Sequence, residues 1–163
     1  MNQFYRAGIS DALAISLLAE FSFRTTFRES FWDHQDLDVY CQKTFNYAKL
    51  KSSLAKEENH FIGLKVEEEL VGYAKLKLAD RPIQLQKIYL HPDFIGRGLG
   101  QALLRKCIEI AKATGGRRLW LAVESGNTAA IAFYLRQGFA EVRTFDFQIG
   151  SQTFQFLRME INL

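Results

Sequence analysis

The sequence predicts a mixed α/β domain, a β-sheet with helices packed on its faces. The chain has 163 residues, which is the usual size of one domain and enough to bury a core. Hydrophobic residues make up 48% of it, which excludes a disordered chain. The predicted elements come in the order helices, hairpin, strand, helix, strand, helix and two strands, which is typical of a sheet covered by helices. We therefore expect residues 1–163 to form a single domain, without a linker or an internal repeat.

The first part of the chain has helical patterns followed by a hairpin pattern. Residues 9–22 have the spacing of an amphipathic helix, with Ser10 or Asp11 near its N-terminal cap. Residues 36–57 place apolar positions at intervals in a polar background, which predicts one or two further helices. Two β-like runs joined by an acidic turn at residues 61–78 predict a hairpin.

The second part of the chain alternates between strand and helix patterns. Residues 83–90 alternate between apolar and polar and predict a strand that ends at His91 and Pro92, because proline cannot donate to a ladder. The other predicted elements are a helix at 98–113 ended by Gly115 and Gly116, a near-continuous apolar and therefore central strand at 117–123, a helix at 128–137 between Asn127 and Gly138, and strands at 139–149 and 153–161.

Composition and charge narrow the range of functions. No apolar run is long enough to span a membrane, and the N-terminus lacks the basic start and cleavage site of a signal peptide, so we expect a soluble cytoplasmic protein. Cys41, Cys107 and three scattered histidines have neither the pattern of a disulfide framework nor metal-ligand spacing, so we expect no metal. The net charge of +3 suits a small anionic ligand, and without a long basic run we expect no nucleic acid partner.

The stretch HPDFIGRGLGQALL, residues 91–104, places Gly96, Gly98 and Gly100 immediately before a helix. The first amides of a helix have no intrahelical partners and its dipole favours negative charge, so glycines there let phosphate oxygens reach the backbone, and Arg97 adds a positive charge. The spacing differs from the dinucleotide fingerprint G-x-G-x-x-G, and the chain has no Gly-Lys-Ser/Thr triplet of a P-loop. The sequence predicts an anion site here, with a plain loop before a helix as the alternative.

A second signal lies in ESGNTAAIAFYLRQGF, residues 124–139. Tyr134 follows Asn127 by seven residues, about two helical turns, so both side chains can lie on one face. A phenol in that position can serve an active site, and a structural aromatic is the alternative.

Together the two segments resemble the GNAT superfamily of acetyl-CoA-dependent N-acetyltransferases. One signature of that family is a strand ending in Val/Leu-x-Pro and then Gln/Arg-x-x-Gly-x-Gly/Ala, and the other is Asn, a short helix, Phe-Tyr and Gly-Phe. Ile95 stands where the family usually has Gln or Arg. The matching residues are Leu90-His91-Pro92 with Ile95-Gly96-Arg97-Gly98-Leu99-Gly100, and Asn127 with Phe133-Tyr134 and Gly138-Phe139.

The resemblance implies the GNAT fold, a central mixed and mostly antiparallel sheet of six to seven strands in which two parallel central strands splay apart. It also implies acetyl-CoA as co-substrate, with the pantetheine arm paired to one strand and the pyrophosphate in the glycine loop. The implied cofactor-binding residues are Ile88, Tyr89 and Leu90 on the strand, Ile95, Gly96, Arg97, Gly98, Leu99, Gly100 and Gln101 in the loop, and Asn127, Phe133 and Tyr134 downstream.

The same resemblance implies that a primary amine attacks the thioester directly in a ternary complex, with Tyr134 as the general acid that protonates the leaving thiolate. Family members often carry a general base on the strand before the proline, but residues 84–87 include no Asp or Glu. Glu124, at the end of the next strand, is our candidate base. Glu29 and Asp33 are alternatives, and positioning alone suffices if the amine arrives neutral.

The acceptor site is expected in FRTTFRESFWDHQDLDVY, residues 23–40. Its candidate residues are Glu29, Phe31, Trp32 and Asp33, because carboxylates and aromatic rings suit a cationic amine. The chain is also similar to the PaiA-type spermidine/spermine acetyltransferases, which implies a polyamine acceptor. The residues that carry this likeness are Phe27-Arg28-Glu29-Ser30-Phe31, Ile88-Tyr89-Leu90, and Phe147-Gln148-Ile149-Gly150 followed by Gln152-Thr153.

Other interpretations stay open at this point. A small-molecule amine and a peptide or protein amine are rival acceptors, and an open groove would favour the peptide. A non-catalytic acyl-CoA-binding sensor is favoured by the missing strand carboxylate, while the presence of Tyr134 argues against it. A nucleotide-binding regulator is disfavoured by the failed fingerprints. Edge strands in the C-terminal part suit a homodimer.

Overall fold

A seven-stranded mixed sheet forms the centre of the protein. The computed structural model describes all residues, 1–163. The strands are β1 (Asn2–Arg6), β2 (Asn59–Val66), β3 (Glu69–Lys77), β4 (Ile83–Leu90), β5 (Arg118–Glu124), β6 (Ala140–Ile149) and β7 (Gln152–Asn162). Their order in the sheet is β1-β2-β3-β4-β5-β7-β6, and every neighbouring pair is antiparallel except β4 and β5. This confirms the predicted fold class and strand number.

Five α-helices cover the two faces of the sheet. They are α1 (Ala12–Phe27), α2 (His34–Phe45), α3 (Tyr47–Leu54), α4 (Leu99–Ala113) and α5 (Thr128–Arg136). One hydrophobic core joins α1, α2 and α3 to one face, and a second joins α4 and α5 to the other. None of the helices combines the length and the apolar character that a membrane span requires.

The N-terminal helices differ in their bounds from the prediction. α1 continues past residue 22 to Phe27 because Phe23 and Phe27 still pack on the core, their ring centroids 4.6 Å apart. Asp11 stands at its N-terminus but accepts hydrogen bonds from the Gly8 amide and the Tyr5 hydroxyl, both at 2.9 Å, instead of capping α1. The predicted segment 36–57 is two helices from residue 34 to 54, divided at Asn46, which caps α3.

Strand β1 was not predicted, because five residues at a sheet edge carry too short a pattern. It pairs with β2, and the Tyr5 ring lies across Gly63, where a Cβ would fall 2.4 Å from the ring. The predicted hairpin is confirmed as β2 and β3. Its turn holds Glu67 and Glu68 at φ of 50° and 69°, in the left-handed region that favours glycine.

The parallel strands β4 and β5 pair only at one end. The paired residues are Ile83 with Leu119 and Gln84 with Trp120, and the strands have no further pairing beyond them. Strand β5 lies inside the sheet, as predicted, but it is buried on the α4 face alone. The predicted splay between two parallel central strands is thus confirmed.

A β-bulge at Gln86 changes which face the side chains of β4 occupy. Leu76 of β3 pairs with Leu85, whereas Lys75 pairs with Lys87, so Gln86 is the extra residue. Before the bulge, Leu85 packs with the α4 core, and after it Tyr89 packs with the core under α1 and α2. The bulge therefore directs Lys87 and Tyr89 to the face where the splay opens.

Candidate active site

A cavity of about 470 Å³ occupies the space between the diverging ends of β4 and β5. Twenty of its 27 lining residues are hydrophobic. The walls come from α1, α2, α5, β6 and β7. The lining residues that bear on chemistry or recognition are Ser22, Phe23, Phe27, Phe31, Tyr40, Gln84, Gln86, Lys87, Ile88, Tyr89, Leu90, Ile95, Trp120, Glu124, Asn127, Tyr134, Phe145, Phe147, Phe154 and Phe156.

The edge of β4 that faces the gap carries backbone groups without a strand partner. Pairing with β3 occupies the opposite edge, up to the His91 amide, which donates to the Val71 carbonyl at 2.7 Å. Successive amides of a strand alternate between its edges, so the Leu90 amide points toward the gap. An extended ligand can therefore pair with β4 there as an additional strand would.

The glycine loop lies at the end of this gap and leads into α4. Gly96 and Gly98 have φ of 83° and 77°, in the left-handed region, and Gly98 is the residue before the helix. A Cβ built on Gly96, Gly98 or Gly100 would meet no atom within 4 Å. The space in front of the first α4 amides is therefore open, and the loop fits a phosphate-bearing group that a side chain would obstruct.

Arg97, the charged residue between Gly96 and Gly98, forms no ion pair. The Arg97 guanidinium lies 4.7 Å from the centroid of the Phe94 ring. Ile95 lines the cavity and is 66% exposed, so the side chain at this position leaves the loop accessible. Gln101 donates to the side chain of Gln137 at 3.2 Å, which ties α4 to the end of α5.

Tyr134 and Asn127 both line the cavity from the α5 side. The Asn127 carboxamide caps α5 by accepting from the Ala130 amide at 3.2 Å. Burial raises the pKa of Tyr134 well above its usual value, and the nearby Cys107 thiol adds to the rise. The phenol therefore stays protonated at neutral pH and is able to donate a hydrogen bond into the cavity. Phe133 does not line the cavity but packs against the adjoining core.

Comparisons with known proteins identify the family of this chain. Residues 18–139 match the family described as Acetyltransferase (GNAT) family. This chain belongs to the GNAT acetyltransferase family. Its membership makes it an N-acetyltransferase with acetyl-CoA as the co-substrate, as the sequence predicted.

Individual relatives of this acetyltransferase include proteins with and without a named substrate. An uncharacterized N-acetyltransferase of Lactobacillus delbrueckii subsp. lactis is 30% identical over 138 residues, which cover 78% of this chain and 80% of that protein. The spermidine N(1)-acetyltransferase of Thermoplasma acidophilum is 22% identical over 138 residues, covering 82% and 85%. The crystal structure of the PaiA N-acetyltransferase of T. acidophilum in complex with coenzyme A superposes with a TM-score of 0.83 at 20% identity, covering 100% and 99%.

The half of the cavity away from the glycine loop is aromatic in this GNAT protein. Phenylalanines at alternate positions of β6 and β7 point into it, and Phe156 contacts Phe145 and Phe147 with centroids 5.8 Å and 5.9 Å apart. Phe31 joins them through Phe154, at 4.9 Å. The sequence analysis missed this wall, although its signal was present as Phe at positions i and i+2 in both strands.

The acidic residues predicted for the acceptor site lie outside the cavity. Neither Glu29 nor Asp33 lines it, and Trp32 is 84% exposed, whereas Phe31 is buried and does line it. Asp33 caps α2 by accepting from the Gln35 amide at 2.9 Å. Local helix capping thus occupies this carboxylate.

The neighbouring acids Asp36 and Asp38 also have structural partners. Asp36 accepts from the amide and hydroxyl of Ser151, which lowers its pKa, and Asp38 pairs with Arg24 at 2.6 Å. Glu124 is the one carboxylate among the lining residues.

Proposed function

We propose that this GNAT protein transfers the acetyl group of acetyl-CoA to a primary amine by direct attack in a ternary complex. The observation that carries the proposal is the open gap between β4 and β5, which has a free strand edge on one side and Tyr134 and Glu124 in its lining. A thioester placed in that gap lies between a donor and a carboxylate. This geometry favours a catalytic protein over one that only senses the cofactor.

The cofactor contacts follow from the open backbone. The pantetheine arm pairs with the free edge of β4 at Ile88, Tyr89 and Leu90, and the Leu90 amide polarises the thioester carbonyl. The pyrophosphate sits in the glycine loop against the first amides of α4. The residues of that loop are Ile95, Gly96, Arg97, Gly98, Leu99, Gly100 and Gln101, and Asn127 adds a contact from α5.

The reaction moves one proton from the amine to the sulfur. The neutral amine attacks the thioester carbon, a C–N bond forms, and the C–S bond then breaks to release coenzyme A. Glu124 accepts the proton that the attacking nitrogen loses, and Tyr134 supplies a proton to the departing thiolate. Exchange with solvent then removes the proton from Glu124 and returns one to Tyr134, so the neutral amide and the free thiol form with no net change of charge.

A polyamine is the second candidate acceptor, favoured by the likeness to a spermidine N(1)-acetyltransferase. The aromatic wall supports it through cation–π contact. The lining supplies a single carboxylate, Glu124, for a ligand with several positive charges. A peptide or protein amine is the third candidate, because the gap opens to the surface beside Ile95.

The test is coenzyme A release, followed with a thiol reagent, in the presence of acetyl-CoA and a panel of small amines, spermidine, spermine and peptides. Amine-dependent release is expected for at least one class. Acetyl-CoA binding measured by calorimetry without release for any amine would contradict the proposal and favour a sensor. Release with peptides alone would indicate that the acceptor is a peptide or protein amine and not a small molecule.

A further inference from the structure

A second cavity, of about 150 Å³, adjoins the first on the same face of the sheet. It lies between α2 and α3 on one side and β3 and β4 on the other, and Gln86 and Lys87 line both cavities. Three lysines line the second cavity, Lys49 from α3, Lys75 from β3 and Lys87 from β4, and no carboxylate does. We call this group the lysine cluster.

The lysine cluster has no counter-ion within the protein. None of the six ion pairs in the structure includes any of its members. Two of its ammonium groups lie over aromatic rings instead, Lys75 at 5.6 Å from the Phe61 centroid and Lys87 at 5.3 Å from that of Phe45. Lys75 and Lys87 are half-buried whereas Lys49 is exposed, and partly buried positive charges that share one space are costly unless an anion joins them.

The ionisation of the cluster reflects this crowding. Burial first, and then the charge of Lys49, lowers the pKa of Lys87 to about 8. Burial and the charges of Lys77, Lys87, Lys56 and Lys49 lower the pKa of Lys75 to about 8. All the charged groups that act on these two lysines from the neighbouring elements are themselves lysines. Lys75 and Lys87 are therefore mostly charged near neutral pH and lose their charges just above it.

We propose that the lysine cluster is an oxyanion subsite of the acceptor site, so that the substrate is an amine that also carries a carboxylate or a phosphate group. This inference rests on the proposed function. The amine would enter the larger cavity, and the anionic end would pass Lys87 into the smaller one. Hydroxyls of Thr44 and Ser53 also line the smaller cavity, and Ser53 accepts from Asn59 at 3.1 Å, which leaves its own hydrogen free to donate.

The experiment compares amines that differ only in the far end of the chain. Four series of equal lengths are used as acceptors: alkylamines, diamines, ω-amino acids and aminoalkyl phosphates. We expect kcat/KM for at least one anionic series to exceed that of the alkylamines by about tenfold or more, as charge-assisted hydrogen bonds allow. Diamines are expected to be the poorest. A comparison of kcat/KM between the ω-amino acids and the aminoalkyl phosphates shows whether the subsite prefers a carboxylate or a phosphate.

Lys75→Met tests the cluster directly, because Lys75 lines the smaller cavity and does not line the larger one. The ratio of kcat/KM between anionic amines and alkylamines should fall toward one in this variant. The matched control is Lys51→Met, which changes an exposed lysine of α3 that lines neither cavity and should keep the ratio of the unmodified protein. The preference should also decline as the pH rises above about 8, when Lys75 and Lys87 lose protons.

A readout that does not depend on turnover is the rate of chemical acylation of the lysine side chains of this protein, quantified by mass spectrometry. Inorganic phosphate should slow the labelling of Lys75 and Lys87 relative to Lys51. Equal labelling with and without phosphate would overturn the subsite. Alkylamines or diamines as good as the anionic series would overturn its role in acceptor choice while N-acetyl transfer itself stands, whereas acetylation of no amine would overturn the proposed function as well.

Discussion

The carboxylate of Glu124 lies directly over Gly126, where a Cβ would fall 2.9 Å from its Oε2 atom. Glycine at position 126 thus leaves room for the one carboxylate of the cavity lining. Gly126→Ala should push the carboxylate aside, and Glu124→Gln should remove its basicity. Glu124→Gln should lower kcat/KM for the amine by about 100-fold near neutral pH, the usual contribution of a general base, while acetyl-CoA affinity stays unchanged. Gly126→Ala should lower it by less, because the end of the flexible Glu124 side chain can shift.

Steady-state kinetics across pH check this prediction. In Glu124→Gln, kcat/KM should rise with pH in step with the neutral fraction of the free amine, because this variant lacks the base that deprotonates the amine. A variant with unchanged turnover would assign the base elsewhere or show that positioning alone is sufficient.

Tyr134→Phe removes the hydroxyl and keeps the ring that packs on Phe133 and Phe139. We expect turnover to fall by about 100-fold or more, with acetyl-CoA binding by calorimetry nearly intact. Because burial raises the pKa of Tyr134 above its usual value, the acid form persists to higher pH than a free phenol. Turnover of the unmodified protein should therefore show no loss from tyrosine ionisation up to about pH 10. Full activity in the variant would exclude Tyr134 as the acid.

Gly98→Val tests the phosphate cradle. The new side chain would enter the open space in front of α4, and acetyl-CoA affinity should fall by at least about tenfold. The left-handed φ of 77° adds a stability cost of about 1–2 kcal/mol. Gly115→Val is the matched control, because Gly115 has a φ of 79° and equally open space at the far end of α4. Calorimetry and thermal melts separate the two effects, and equal affinity losses in both variants would contradict the cradle.

Lys87→Met should stabilise the protein near neutral pH. A lysine whose pKa is lowered on folding makes the folded state less stable below that pKa, and the cost disappears as the pH rises from about 8 toward the unfolded value. Removing the charge should raise the free energy of unfolding by about 1–3 kcal/mol at neutral pH and by less near pH 10. Urea titrations at the two pH values measure the difference. A gain independent of pH would point to packing instead of charge.

Glu68→Gly concerns the β2–β3 turn, which contributes no residue to either cavity. A glutamate at φ 69° carries a left-handed strain that glycine avoids, so the variant should be more stable by about 0.5–1 kcal/mol. Acetyl transfer should stay at the level of the unmodified protein. A loss of stability would mean that the Glu68 side chain has a favourable contact that outweighs the strain.

The sequence predicted most of the elements that we propose to bind the cofactor, because they are local. The glycine loop and the α5 cap each lie within one short segment, so their spacing pointed to candidate residues, and the resemblance to the family supplied the roles. The splay was implied by the resemblance, and the structure confirms it as a pairing that stops after Gln84 and Trp120.

The acceptor side could not be predicted in the same way. Phe31, Tyr40, Lys87 and the β6–β7 phenylalanines meet only because β7 inserts between β5 and β6 and brings distant segments together. The acids of residues 29–38 looked available in the sequence, but in the structure a helix cap engages Asp33 and a loop contact engages Asp36. Such competition between local and distant partners has no signature in a single sequence.

The bulge at Gln86 gives alternate side chains in the two halves of β4 different surroundings. Ile83 and Leu85, before it, belong to the α4 core, whereas Lys87 and Tyr89, after it, face the cavities. Substitutions of Ile83 should therefore change the stability of the fold, and substitutions of Lys87 should change which substrate is selected. The strand can therefore accumulate substitutions that alter specificity without lowering the stability of the fold, provided that the bulge keeps its one extra residue.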